Sequence, residues 1–97
     1  MKNIKLENYL KKEILEISNN TFKELKKNNI DIFLSQRELS PLQLEKYQKI
    51  YNNFQLSLIR VKKNAIKKYG LIENFNLFFG LIVNNAVIET RKKYYND

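Results

Sequence analysis

The segment LFFGLIV, from Leu77 to Val83, decides how the last third of the chain must pack, because it contains no polar side chain. It lies within a predicted helix from about residue 71 to residue 94. On a helical projection, apolar residues cover most of this helix. The small or polar residues form only a narrow strip, Glu73, Asn76, Gly80 and Asn84. A helix that is apolar on nearly every side has to be enclosed. The sequence therefore predicts that the last helix is the most buried one.

Three surroundings can enclose such a helix: other helices of the chain, a second copy of it, or lipid. A membrane span needs about 20 mostly apolar residues. Here the uninterrupted run has seven, with asparagines close to both ends, so no membrane span is predicted. A bundle of three or four helices covers any one member incompletely. We therefore expect a homodimer or other homo-oligomer, or a partner groove, formed by Phe75, Phe78, Phe79, Ile82 and Val83.

The rest of the chain also has a helical pattern. One proline and two glycines in 97 residues leave few helix breakers, and no long stretch alternates apolar and polar residues. Apolar residues at helical spacing predict a long amphipathic first helix that ends near residue 29. A Thr-x-x-Glu capping pattern at Thr21 leaves open whether this helix is continuous through Asn19 to Thr21. Residues 30 to 39, IDIFLSQREL, predict a short helical segment.

The start of the long helix that follows this segment is marked most clearly. Ser40 stands at the N-cap, Pro41 at the first helical position and Gln43 at the capping-box position. A heptad-like seam follows, and Gly70 ends the helix. The seam consists of Tyr47, Tyr51, Phe54, Leu58, Val61 and Ala65. We expect an all-α fold, an antiparallel bundle of three long helices plus a short helical segment, in a single helical domain over residues 1–97.

The composition excludes much chemistry. The chain has no cysteine and no histidine, so disulfides, thiolate sites and imidazole ligands are ruled out. Glycines only at positions 70 and 80 cannot build a phosphate-binding loop. The glutamates alternate with lysines and form no cluster with metal-ligand spacing. We therefore expect no enzyme activity, no metal and no cofactor, and the lack of cysteine together with an N-terminus unlike a signal peptide favours the cytoplasm.

The positive charge is concentrated in one segment. The net charge is +8, and residues 60–70, RVKKNAIKKYG, contain five basic residues and no acidic one. The predicted partner-binding or nucleic-acid-binding residues are Arg60, Lys62, Lys63, Lys67 and Lys68. Two structural explanations stay open: lysines stabilise the end of a helix, and an AT-rich genome supplies lysine and asparagine codons freely. The aromatic seam does not lie beside these residues, and only Tyr94 and Tyr95 are expected to be free for base stacking.

These features predict a small non-enzymatic interaction or regulatory protein from a low-GC bacterium or mobile element. In size, charge and helical pattern the chain resembles bacteriocin immunity proteins, which form antiparallel helix bundles. That resemblance rests on gross properties and implies a protein that inhibits or protects by binding a macromolecular partner. The alternative is a basic nucleic-acid-binding regulator that uses the charged segment at residues 60–68 on phosphates. A protein partner is favoured over a nucleic acid.

Overall fold

The computed structural model describes residues 4–30 and 38–95. They form three α-helices, α1 (Ile4–Lys27), α2 (Pro41–Tyr69) and α3 (Phe75–Tyr95), which pack against one another, and no strand occurs in these ranges. The expectation of an all-helical protein is therefore confirmed. The predicted short segment at 30–39 lies mostly outside the described residues.

The helix ends of α2 follow the local sequence as predicted. The Gln43 backbone N–H donates to the Ser40 hydroxyl over 3.2 Å, and the Ser40 N–H donates to the Gln43 side chain over 3.1 Å. At the other end, the Gly70 N–H donates to the carbonyl of Ile66 over 2.8 Å. Gly70 has φ 85° and ψ 165°, a combination that is essentially restricted to glycine. This residue therefore stops α2 and redirects the chain.

The first helix is continuous from residue 4 to residue 27. Thr21 caps no new helix, since its hydroxyl donates to the carbonyl of Ile17, one turn earlier, over 2.9 Å. Just after the helix, Asn29 adopts φ 56° and turns the chain away. There the N–H of Ile30 donates to the carbonyl of Leu25 and that of Asn29 to Lys26. This is the pattern of a Schellman motif, and its apolar contact between Leu25 and Ile30 is also present.

Contacts at both ends of α1 fix its position beside α2. The rings of Tyr9 and Tyr69 lie 5.6 Å apart, which brings the start of α1 next to the end of α2. At the opposite end, the Gln43 side-chain amide donates to the carbonyl of Asn29 over 3.2 Å. These contacts pack the first helix against the second along most of its length.

Contacts with α3 cover another side of α1. The hydroxyls of Ser18 and Thr90 lie 2.5 Å apart, and the Lys26 ammonium donates to the carbonyl of Tyr94 over 2.6 Å. No comparably extensive contact joins α2 and α3. The first helix therefore lies between the other two.

This arrangement contradicts the prediction that the last helix is the most buried. Leu6, Leu10 and Ile14 of α1 are fully buried. By contrast, α3 leaves Leu77 66% and Leu81 55% exposed. Among three helices only the one that contacts both others is covered on two sides, and that helix is α1. The third helix also begins at Phe75 rather than near residue 71, because residues 70–74 form the connection from α2.

Candidate interaction surfaces

The seam of α2 fixes which side of this helix faces outward. Val61 and Ala65 are buried against the other helices, as predicted from the seam. Arg60, Lys63 and Lys67 are all exposed. The structure therefore brings three of the five predicted basic residues together on the outer side of α2.

The other two predicted lysines contact aromatic rings. The Lys62 ammonium lies 5.7 Å from the centroid of the Phe79 ring, which links α2 to α3. The Lys68 ammonium lies 5.5 Å from the Tyr9 ring and 5.4 Å from the Tyr69 ring. Each such contact contributes about 0.5–1 kcal/mol at an exposed site. Lys62 and Lys68 thus flank the outward-facing residues and also support the fold.

Two further lysines extend the charged surface toward the start of α2. Positions spaced alternately by three and four residues share one face of a helix, and seven exposed residues follow this spacing. We call them the outer row of α2: Lys46, Lys49, Asn53, Leu56, Arg60, Lys63 and Lys67. The row is about 31 Å long at 1.5 Å per residue. Sequence reasoning missed Lys46 and Lys49, although the same spacing that defined the seam would have identified them.

The outer row carries uncompensated positive charge. The only acidic residue in α2 is Glu45. Within residues 4–30 and 38–95, no acidic side chain forms an ion pair with any of the five basic residues of the row. Two apolar side chains accompany these charges, Leu56 within the row and Ile59 beside it, 59% and 48% exposed. The surface therefore offers both cations and apolar area.

A groove between α1 and α2 borders the outer row. Its volume is about 520 Å³, within the range of about 300–1,000 Å³ typical of ligand sites. Ile17, Ile50 and Phe54 are its apolar residues. The polar residues that line it are Asn20, Thr21 and Glu24 from α1, Asn28 just after α1, and Lys46, Lys49, Asn53 and Ser57 from α2. The first three residues of the outer row thus form one edge of this groove.

The predicted self-association residues of α3 lie elsewhere than expected. Phe75, Phe79 and Ile82 are buried in the core, and Phe78 and Val83 are half-buried against it. They are therefore not an open groove or a free surface in this chain. Both sides of α3 are apolar in a helical projection, so the sequence alone does not indicate which side packs against α1.

The exposed apolar surface of α3 is the opposite side. Leu77, Leu81 and Ile88 are exposed, and Asn84 occupies the remaining position of the same face. We call these four residues the outer row of α3. The two tyrosines expected to be free, Tyr94 and Tyr95, are instead partly buried against the core. Tyr95 also packs edge-on against Phe22 and donates to the carbonyl of Ile30 over 3.0 Å.

The described residues contain no group of three or more acidic, histidine or cysteine side chains that could hold a metal ion. Among them, too, no helix combines the length and the apolar character required to cross a membrane. Comparisons of the chain with protein-family models, with curated proteins and with solved structures give no match.

Proposed function

We propose that this chain is a non-enzymatic, cytoplasmic helical binding protein, an antiparallel three-helix bundle that recognises an acidic partner protein through the outer row of α2. One observation supports the proposal above all. Five basic side chains that have no ion-pair partner among residues 4–30 and 38–95 lie in one exposed row, together with an exposed leucine. Charge complementarity of this kind steers association and selects partners.

The apolar side chains favour a protein partner over a nucleic acid. Leu56 and Ile59 lie where a bound partner would cover them, and a phosphate backbone offers no apolar surface in return. Nucleic-acid binding without base contacts would depend on phosphate contacts and, for single strands, on exposed aromatic rings for stacking. The outer row of α2 contains no aromatic residue.

Matched charge variants test this proposal. The triple variant Arg60→Gln, Lys63→Gln and Lys67→Gln removes three charges from the outer row. A control triple variant, with Lys5, Lys12 and Lys23 changed to Gln, removes the same charge from exposed positions of α1. At about 0.2–1 kcal/mol for each surface pair, the first variant should weaken partner binding roughly tenfold and the control less than twofold.

The measurement begins with affinity capture from producing cells and identification of the captured proteins, followed by titration with each purified one. The proposal requires an acidic protein that is lost with the α2 variant and retained with the control. Binding to duplex DNA is measured in parallel at 0.15 M salt. Dissociation constants far below about 10⁻⁶ M, the tight end of non-specific binding, combined with loss in the α2 variant, would establish the nucleic-acid alternative instead.

We also propose that two copies associate through the outer row of α3. Its members, Leu77, Leu81, Asn84 and Ile88, are spaced by four, three and four residues, which is the spacing of a seam between paired helices. No ionisable side chain occurs in residues 75–88. Two copies of a chain with net charge +8 can therefore meet there without placing like charges together.

Sedimentation at two protein concentrations tests this association. Leu81→Gln should convert the dimer into a monomer. Leu71→Gln is the control, because Leu71 is 72% exposed but lies outside the helix, and it should leave the dimer intact. A wild-type chain that remains a monomer at 100 µM would refute the proposed dimer.

A further inference from the structure

The groove between α1 and α2 has two edges of opposite charge. Lys46 and Lys49 stand on the α2 edge and Glu24 on the α1 edge. No ion pair joins these edges, so both signs of charge remain available to a molecule in the groove. Between them lie the half-buried side chains of Ile17, Ile50 and Phe54.

The backbone of the groove walls selects the shape of its occupant. Both walls are α-helices, whose interior N–H and C=O groups are bonded within the helix. An extended peptide would bring unpaired backbone groups that the backbone of these walls cannot satisfy, and the Asn28 side-chain amide already donates to the carbonyl of Glu24 over 2.8 Å. A helix satisfies its own backbone and packs its side chains between those of two other helices.

The length of the groove sets the size of that helix. The lining residues extend from position 17 to 28 in α1 and from 46 to 57 in α2. Each span contains twelve residues, and its eleven steps of 1.5 Å correspond to about 16 Å, or about three turns of helix. The apolar side of an amphipathic helix of this length can contact the apolar residues of the groove, and its two lateral edges can contact the charged residues of the groove.

We infer that the α1–α2 groove binds an acidic amphipathic helix of the partner protein, whose carboxylates pair with Lys46 and Lys49. This inference rests on the proposed function and specifies how the acidic partner is held. The apolar side of the helix covers Ile17, Ile50 and Phe54, while the remaining basic residues of the outer row contact the partner outside the groove.

A synthetic peptide serves as the probe, because the partner is not identified. It is a 14-residue helix with leucines on one side and glutamates along one edge, and a control peptide has glutamine at the glutamate positions. Lys46→Gln/Lys49→Gln alters the groove edge, whereas Lys63→Gln/Lys67→Gln removes the same charge from the row beyond the groove. All four lysines are exposed, so neither double variant disturbs the core.

Fluorescence anisotropy should show about fivefold weaker peptide binding for the groove variant and less than a twofold change for the matched variant. The glutamine peptide should bind about fivefold more weakly to the wild-type protein. In ¹⁵N spectra, the acidic peptide should shift the amide signals of Asn20 and Thr21, which line the groove from α1 and are absent from the outer row of α2.

Two results overturn the inference while leaving the proposed function intact. One is an equal loss in the two double variants, and the other is a set of shifts confined to α2; either places the acidic helix along the outer row. If the wild type does not bind the peptide but the captured acidic partner still depends on Arg60, Lys63 and Lys67, the groove is likewise not the helix site. If the wild-type protein binds neither the peptide nor any acidic protein from the cells, the proposed function itself is refuted.

Discussion

The buried hydroxyl pair between α1 and α3 gives the sharpest test of the packing. Ser18 and Thr90 are 0% and 1% exposed, and their oxygens lie 2.5 Å apart. The Thr90 hydroxyl also lies 2.9 Å from the carbonyl of Ala86, its acceptor one turn earlier. The arrangement with the shorter hydrogen bonds has Ser18 donating to Thr90 and Thr90 donating to Ala86. The two substitutions Thr90→Val and Ser18→Ala break this chain of hydrogen bonds at different points.

The two single variants should lower the free energy of unfolding by different amounts, and this loss is the cost given for each variant below. In Thr90→Val, Ser18 keeps only the Ala86 carbonyl, at a long distance of 3.4 Å, so a buried donor is left nearly unsatisfied. Such a group costs about 1–3 kcal/mol. In Ser18→Ala, Thr90 retains its shorter bond to Ala86, and the expected cost is about 0.5–1 kcal/mol. The double variant leaves no hydroxyl without a partner, so its cost should fall below the sum by about 0.5–1.5 kcal/mol.

Urea unfolding followed by circular dichroism measures all four proteins, and the thermal midpoint gives an independent check at about 4–8 °C per kcal/mol. We expect Thr90→Val to lower the free energy of unfolding more than Ser18→Ala does. The reasoning is refuted if the two costs add to within about 0.3 kcal/mol, because Ser18 and Thr90 would then not interact. It is also refuted if Ser18→Ala proves the more damaging change.

Three other predictions concern the fold. Leu10→Ala should lower the unfolding free energy by about 2–5 kcal/mol, because Leu10 is fully buried, whereas Leu81→Ala in a dilute sample should change it by less than about 0.5 kcal/mol. Equal costs in urea unfolding would contradict the central place of α1. Ser40→Ala removes the acceptor of the Gln43 N–H and should cost about 0.5–2 kcal/mol; an unchanged denaturation midpoint would rule out this cap. Gly70→Ala forces a side chain into φ 85° and should cost about 1–3 kcal/mol, and an unchanged thermal midpoint would show that the conformation of residue 70 is different.

Local signals in the sequence predicted the helix ends of α2 correctly. Ser40, Pro41 and Gln43 act within one turn of each other. Gly70 is needed because the backbone at this position has a positive φ. Such features depend on neighbouring residues alone and can be read without a tertiary structure. The all-helical fold was predictable for the same reason, since breakers are scarce and apolar residues recur at helical spacing.

The inward side of α3 could not be predicted in this way. Phe79 and Leu81 are both large and apolar, and only their positions relative to α1 make Phe79 buried and Leu81 exposed. Because each side of α3 is apolar, the choice depends on tertiary contacts with Leu10, Ile14 and their neighbours. The candidate self-association residues therefore lie on the sides of α3 that pack within the chain.

Two other omissions have physical causes. Ser18 lies four residues after Ile14 and continues the spacing of Leu6, Leu10 and Ile14. A serine in the sequence nevertheless resembles a surface residue unless its partner is known. That partner, Thr90, is 72 positions away. Lys46 and Lys49 were overlooked because acidic residues bring the net charge of residues 30–59 to zero. The sum of charges does not show that both lysines lie on one side of α2.

The central position of α1 affects how the protein is made. This helix is synthesised before the other two, and α3, which covers one side of it, is completed only at Tyr95. An apolar ridge that includes Leu10 and Ile14 therefore stays uncovered on that side until α3 has been synthesised. Messages truncated before codon 75 should yield fragments that aggregate or depend on chaperones, since transiently exposed apolar surface promotes both outcomes.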